Sequence, residues 1–495
     1  MPLKVPPPRP ISVDDGQLFV NGEWREATGR DRFDTINPAT EATIATMAKA
    51  TVEDVDSAVA AARLAFDEGP WPTMPGSQRA RIMNRVADLM EERAMELAVR
   101  ESMDMGKLYK DAMGIDVPHC ARYMRYYAGY ATQLEGSVKP TEGHQASLAY
   151  TRREPLGVVA AITPFNFPLI LSISKIAPAL AAGNCVIHKP ATTTPLTAIT
   201  LAEIMQEAGV PPGVYNVLTG PGGTVGSALS KHPGVDKIAV TGSTPTGKQI
   251  IRDGADTLKH VTAELGGKSP NIVFADANLD QAAFNTYLGI FWNKGEVCVA
   301  CSRVIIEQSV YDQFLDKLVT LAESINVGDP LELSSDYGPM AGKKEFDGVL
   351  EYLDIGRKEC GDALTGGDSM TVNGVGYYIQ PTIFNAPSND VVIAREEIFG
   401  PVLTAIPFDD FDDAIRIAND TPYGLAAGVQ TRDAGKAIRA AEKIKAGTLW
   451  LNCWHRYDPS VPFGGYKESG HGREQGFEAL ESYTQTKSIW LDLGA

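Results

Sequence analysis

Between Gly157 and Gly267 the chain alternates short apolar runs with longer stretches whose apolar residues recur every three or four positions. The runs GVVAAIT (157–163), NCVIHK (184–189), YNVLTG (215–220), KIAVTG (237–242) and HVTAELG (260–266) have the length and composition of strands buried on both faces. The stretches between them predict helices at Pro168–Ala182, Pro195–Ala208, Gly223–Lys231 and Thr246–Gly254. This alternation predicts a parallel sheet covered by helices on both faces. Ligands bind such sheets at the carboxyl ends of the strands. That rule singles out Thr163–Asn166, Lys189–Thr192, Gly220–Gly223, Gly242–Gly247 and Glu264–Gly267.

On either side the pattern changes. Gln17–Glu23 reads as two strand pieces around Asn21-Gly22, a dipeptide suited to a type I′ turn. Thr51 and Asp54 form a capping box, and Val52, Val55, Val59, Ala62 and Phe66 follow at helical spacing. A long helix is predicted from Ser77 to about Met105, with Ile82, Val86 and Leu89 on one face. From Gly266 to Tyr466 the strand–helix alternation returns, in SPNIVFAD (269–276), SRVIIEQ (302–308), VLTAIPF (402–408), GVQT (428–431) and GTLWLN (447–452). A second α/β domain of similar size follows, with a ligand cleft where the two meet.

Composition narrows the function. The chain has 495 residues and a formal charge of −17, which argues against a general attraction to nucleic acid or anionic lipid. A local anion site is still allowed, because one lysine and a helix N-terminus suffice. The most apolar stretch, Gly157–Gly183, is interrupted by Pro164, Pro168, Lys175 and Pro178, so no membrane span is expected. Met1–Pro10 is proline-rich and extended, without the apolar core of a signal peptide. The expected setting is soluble and cytoplasmic. Six cysteines are too few for a disulfide scaffold. Cys298 and Cys301 have CxxC spacing but lack further ligands nearby, so no metal site is expected.

Among residues that could do chemistry, Gly242-Ser-Thr-Pro-Thr-Gly247 joins an apolar strand to a predicted helix. Its small residues would admit a phosphate close to the backbone, although it is not a GxGxxG sequence. Lys189 ends another strand and could reach a ribose or a phosphate, or simply be solvated. Cys298, between Val297 and Val299, is either an inert buried thiol or a nucleophile, and a nucleophile needs a proton acceptor and oxyanion donors. Glu264 and Asn166 are candidates for those parts. The histidines, at 119, 144, 188, 232, 260, 455 and 471, stand in no thiol-protease context. A thiol, a carboxylate and an amide suit attack on an aldehyde, departure of hydride and hydrolysis of a thioester.

Seven motifs occur in order: Thr163-Pro-Phe-Asn-Phe-Pro168, Lys189-Pro-Ala191, Gly242-Ser-Thr244 with Gly247, Glu264-Leu-Gly-Gly-Lys268-Ser-Pro, Gly295 to Cys298, Glu396-Glu-Ile-Phe-Gly-Pro401 and Pro462-Phe-Gly-Gly-Tyr-Lys-Glu-Ser-Gly470. On these motifs the chain resembles the aldehyde dehydrogenase superfamily from about Gln17 to Leu493, in its hydrolytic, non-acylating branch. The resemblance implies a Rossmann-like parallel-sheet cofactor domain at 1–132 and 154–265, a second α/β catalytic domain at 266–480, and a small β oligomerisation arm at 133–153 and 481–495. It implies that Cys298 attacks the carbonyl, that Asn166 and the Cys298 N–H hold the oxyanion, and that Glu264 activates water. Lys175 and Glu474 would help carry protons.

For the cofactor it implies Lys189 at the adenosine ribose, Ser243 at the pyrophosphate, Gly222 on the adenine side, Glu397 at the nicotinamide ribose and Phe399 near the ring. Thr163, Pro164, Phe165, Gly242, Glu264 and Leu265 complete that set. NAD-dependent relatives often carry Glu three residues after the lysine. Here Thr192 stands instead, which permits NADP as well as NAD.

The implied substrate pocket is Phe167, Leu171, Trp292, Val297, Val299, Trp454, His455, Tyr457 and Phe463, with Ser174 widening its mouth. Its apolar, aromatic character implies a hydrophobic or aromatic aldehyde, while His455 and Arg456 keep a carboxylate-bearing semialdehyde open. A CoA-acylating enzyme is disfavoured by Glu264, and a thiol esterase activity fits best as a side reaction. The resemblance also implies a homodimer or homotetramer, with edge strands in Ser147–Arg152 and Thr486–Leu491 needing partners.

Overall fold

The computed structural model describes residues 5–143 and 146–494. Met1–Lys4 of the proline-rich start, and His144, lie outside the described residues. The first sheet has eight strands in the order Glu23–Arg25, Leu18–Val20, Tyr215–Val217, Cys185–Lys189, Val158–Ile162, Lys237–Thr241, His260–Glu264 and Gly470–His471. The five strands from Tyr215–Val217 to His260–Glu264 are parallel. Chain order runs outward in both directions from Val158–Ile162, so a crevice opens at the carboxyl ends beside that strand. The register sets Lys189 beside Ile162 and Glu264 beside Thr241, which brings four of the ligand-facing turns to one edge.

Local chemistry explains much of this layout. The Asn21-Gly22 turn has φ of 56° and 78°, the left-handed pair that a type I′ hairpin requires. Thr51 and Asp54 close their capping box at the start of Val52–Asp67. Pro168 begins the helix Pro168–Ala182, where a missing N–H costs nothing, and Gly183 ends it at φ 97°. Almost every residue of that helix is buried, because it lies between the sheet and the helix Val117–Tyr130.

The second sheet is wholly parallel, in the order Thr382–Asn385, Val402–Phe408, Arg303–Glu307, Pro270–Val273, Ala426–Gln430 and Thr448–Leu451. A third, antiparallel sheet joins Thr484–Asp492, Ser147–Pro155 and Val138–Lys139.

Several details differ from the sequence pattern. The helix expected over Ser77–Met105 is two, Gly76–Glu92 and Ala94–Met105. Arg93 leaves helical geometry at the joint, and its guanidinium pairs with Glu96 at 2.8 Å and with Glu203. Ser147–Pro155 is the middle strand of its sheet rather than an edge, since it pairs with Thr484–Asp492 on one side and Val138–Lys139 on the other. Thr382–Asn385 is an edge strand too short to stand out in the sequence. Gly470–His471 lies in the 266–480 segment yet pairs with Ala263 and Glu264 of the first sheet, and Ala479, Leu480 and Tyr483 pack into that sheet's core.

Candidate active site

At the carboxyl edge of the first sheet, Thr163 closes its strand by donating its N–H to Lys189 O at 3.1 Å, and its hydroxyl meets His188 Nε2 at 3.1 Å. The Lys189 ammonium is buried, donates to Pro190 O at 2.6 Å, and is pushed down to about 8 by burial. Thr192 donates its hydroxyl to Gly220 O at 3.1 Å. Gly222 and Gly223 are exposed, with no atom within 4 Å of where a side chain would start. Ser243 caps the helix Thr244–Ala255 by accepting from Thr246 N–H. Leu265 is buried beside Gly247 of that helix. Pro164 and Phe165 are half-buried, and the Phe165 ring meets Phe399 edge-on at 5.6 Å. Glu397 accepts from Gly267 N–H at 2.8 Å, and burial lifts its carboxyl to about 7. Bare backbone, a capped helix start and a buried lysine along one open edge suit an extended anionic ligand.

The loop carrying Cys298 faces that edge. Asn293, Lys294 and Gly295 all have positive φ, which turns the chain sharply after the helix Leu279–Phe291. The turn is held because Asn293 Nδ2 donates to Asn166 O at 3.0 Å, and Lys294 pairs with Glu296 at 3.0 Å in a fully buried contact. A Cβ on Gly295 would lie 2.2 Å from Gly400 O, and one on Gly267 would lie 2.4 Å from Cys298 O. Three backbone segments therefore meet behind the thiol at a separation only glycine allows. Asn166 Nδ2 donates to Glu296 O at 2.9 Å, which fixes the amide next to the loop and leaves its second N–H available.

Acidic groups surround the thiol. Burial, then the charges of Glu397 and Glu264, push Cys298 up to about 12. Glu264 is 4% exposed and neither carboxylate oxygen has a hydrogen-bond partner. Its burial, and then Glu474, hold its carboxyl well above the ordinary range. Lys175 is buried, donates to Thr241 Oγ1 at 2.6 Å and pairs with Glu474. Ser174 Oγ donates to the other oxygen of Glu474 at 2.7 Å.

Beside Cys298 a cavity is lined by Phe167, Leu171, Ser174, Trp292, Val297, Val299, Tyr457, Phe463 and Glu474. Ile115, His119, Ile170 and Gln475 line it too, and the sequence reading missed them. Trp454 and His455, expected in the wall, stand behind it. Trp454 is 3% exposed and packs on Trp450 at 5.1 Å. The His455 ring lies 4.8 Å from Trp292 and its Nδ1 is 3.2 Å from the Tyr457 hydroxyl. Burial pushes His455 down to about 3, so it carries no charge near neutrality. Arg456 is exposed and is not in the lining. Cys301 is buried, and its thiol donates to Arg303 O at 3.8 Å.

Residues 24–489 match the model of the aldehyde dehydrogenase family. The chain is 45% identical over 477–479 residues to relatives that include aldehyde dehydrogenase family 2 member C4 of Arabidopsis thaliana, an alignment covering 96% of this chain and 95% of that protein. An aldehyde dehydrogenase of Bacillus cereus, solved with NAD+, superposes with a TM-score of 0.94 at 43% identity and covers 96% of each chain. A variant of AldA, an indole-3-acetaldehyde dehydrogenase of P. syringae solved with NAD+ and IAA, gives a TM-score of 0.94 at 41% identity, again over 96% of each chain.

Proposed function

The chain belongs to the aldehyde dehydrogenase family, NAD(P)-dependent oxidoreductases that oxidise aldehydes to acids, and from that premise we propose that Cys298 is its nucleophile and that its substrates are medium-sized hydrophobic or aromatic aldehydes. One observation carries the reading: Cys298 lines an aromatic-walled cavity.

The chemistry follows from these groups. Glu264 takes the thiol proton, and the Cys298 sulfur bonds to the aldehyde carbon. The oxygen becomes an alkoxide, which the free N–H of Asn166 and the Cys298 backbone N–H stabilise. Nicotinamide dinucleotide, when bound, supplies the acceptor for the hydride that leaves this carbon. Lys189, Ser243, Gly222, Gly242 and Glu397 would hold it, and the open backbone at Gly222 and Gly223 fits such a ligand. The resulting thioester is hydrolysed when Glu264 takes a proton from water, the oxygen attacks the acyl carbon, and the C–S bond breaks to release the acid and return Cys298 as its thiolate. A raised carboxyl pKa makes Glu264 a stronger base for that step. The Lys175–Glu474 pair would carry the proton onward. Thr192 puts no carboxylate beside the adenosine ribose, so both NAD and NADP are accepted.

The cavity favours hydrophobic substrates over semialdehydes, because no lysine or arginine among the described residues lines it. His119 is pushed down to about 4 by burial and is neutral like His455. The test is a panel of aromatic, long aliphatic and ω-carboxylate aldehydes, run with each dinucleotide. Aromatic and aliphatic aldehydes should exceed semialdehydes by at least tenfold in kcat/KM, and Cys298→Ala should abolish every rate. A semialdehyde at the head of the panel would overturn the substrate assignment, and a Cys298→Ala variant with full activity would overturn the nucleophile. The exposed outer edge of Thr484–Asp492, with Leu491 50% exposed, supports an oligomer formed through the arm.

A further inference from the structure

Two aromatic walls of the cavity, Phe167 and Trp292, are gripped from behind by one stretch, Glu101–Asp116. The indole Nε1 of Trp292 donates to Asp111 Oδ2 at 3.0 Å across 181 residues of chain. The Lys107 ammonium sits 4.0 Å from the centre of the Phe167 ring, where the ring's electron-rich face attracts it. Lys107 is itself pinned, 2.8 Å from Glu101 and in contact with Asp116, all three at most 1% exposed. Lys294 of the thiol loop donates to Met105 O at 2.9 Å, so the same stretch is tied to the loop two residues beyond Trp292. Between Asp111 and Asp116 the chain makes a π turn, Ala112–Asp116, a local widening that brings Asp116 onto Lys107 and sets Ile115 at the cavity rim.

We propose that Asp111 is a specificity-determining positioning residue, which holds the Trp292 indole as a fixed wall and so sets the width of the aldehyde cavity. The proposal rests on the reading of that cavity as the substrate pocket. Asp111 lies behind the wall and is not part of the cavity lining. Removing its acceptor frees the indole to rotate into the cavity, and that obstructs a ring-bearing substrate more than a two-carbon one. The other wall, over Lys107, stays in place.

The experiment compares steady-state kinetics on benzaldehyde and acetaldehyde for wild type, Asp111→Leu, Asp111→Asn and Trp292→Phe, together with the double variant. Asp111→Leu should raise the benzaldehyde KM at least tenfold, with kcat and acetaldehyde kcat/KM within about twofold of wild type. Asp111→Asn keeps a carbonyl oxygen as acceptor and should restore the benzaldehyde KM to within threefold. The double variant should be no worse than Trp292→Phe alone, because both changes remove the same bond. Equal losses on both aldehydes, a silent Asp111→Leu, or an Asp111→Asn as impaired as Asp111→Leu would overturn the proposal. If Trp292→Phe also leaves the benzaldehyde KM unchanged, the pocket reading falls as well. If Trp292→Phe moves it and Asp111→Leu does not, the pocket stands and the role of Asp111 is refuted.

Discussion

Glu264 ends its strand with two carboxylate oxygens that are buried and unbonded, an arrangement that costs stability unless it is used. Burial raises both this carboxyl and the Cys298 thiol, and the deprotonated form of each is the reactive one. The sign is therefore fixed: kcat/KM should rise with pH from about 6 to about 9, since each increment leaves more of both groups in their basic form. A pH–rate profile that peaks on the acidic side would contradict this. Cys298, Glu264 and Asn166, the groups proposed for the reaction, each sit in a short motif and so could be named as candidates from the sequence. Asp111, Ile115 and His119 could not, because nothing near them in the chain says that they face Trp292 and the thiol. Trp454 and His455 were read as wall for the opposite reason: aromatic residues next to Tyr457 look alike in sequence, and only packing separates the lining from the layer behind it.

Among the elements, the five parallel strands of the first sheet followed directly from their apolar runs, since strands buried on both faces need no polar residues. The break at Arg93 did not, because the apolar spacing continues across it and the joint is set by ion pairs to Glu96 and the distant Glu203. The ligand edge depends on the helix Thr244–Ala255 lying tight against the next strand. A Cβ at Gly247 would come within 2.4 Å of Leu265 Cδ2, so Gly247→Val must displace the buried Leu265 side chain or the helix that carries Gly247. Overpacking of this kind costs about 1–3 kcal/mol. Thermal denaturation should show that loss, and the KM for NAD should rise because Ser243 moves with the helix. An unchanged KM would mean that this helix start does not contact the cofactor.

In the whole molecule, a mixed eight-stranded sheet, a parallel six-stranded sheet and a three-stranded antiparallel sheet share one chain, and the thiol loop is tied to the first sheet's ligand edge through Asn166 and Glu296. Light scattering should give the mass of two or four chains, and a monomer would remove the role assigned to the arm. The two-sheet plan was readable from the alternation of elements. The return of Gly470–Tyr483 to the first sheet was not, because it depends on long-range packing around Glu264. The account as a whole turns on a covalent acyl-enzyme at one cysteine. The most direct test is the intact mass of Glu264→Gln after mixing with NAD and an aromatic aldehyde. The predicted result is a gain equal to the aldehyde less two hydrogens, located on Cys298 by peptide mapping and formed together with NADH. NADH formed with no adduct, or an adduct on any other residue, would contradict it.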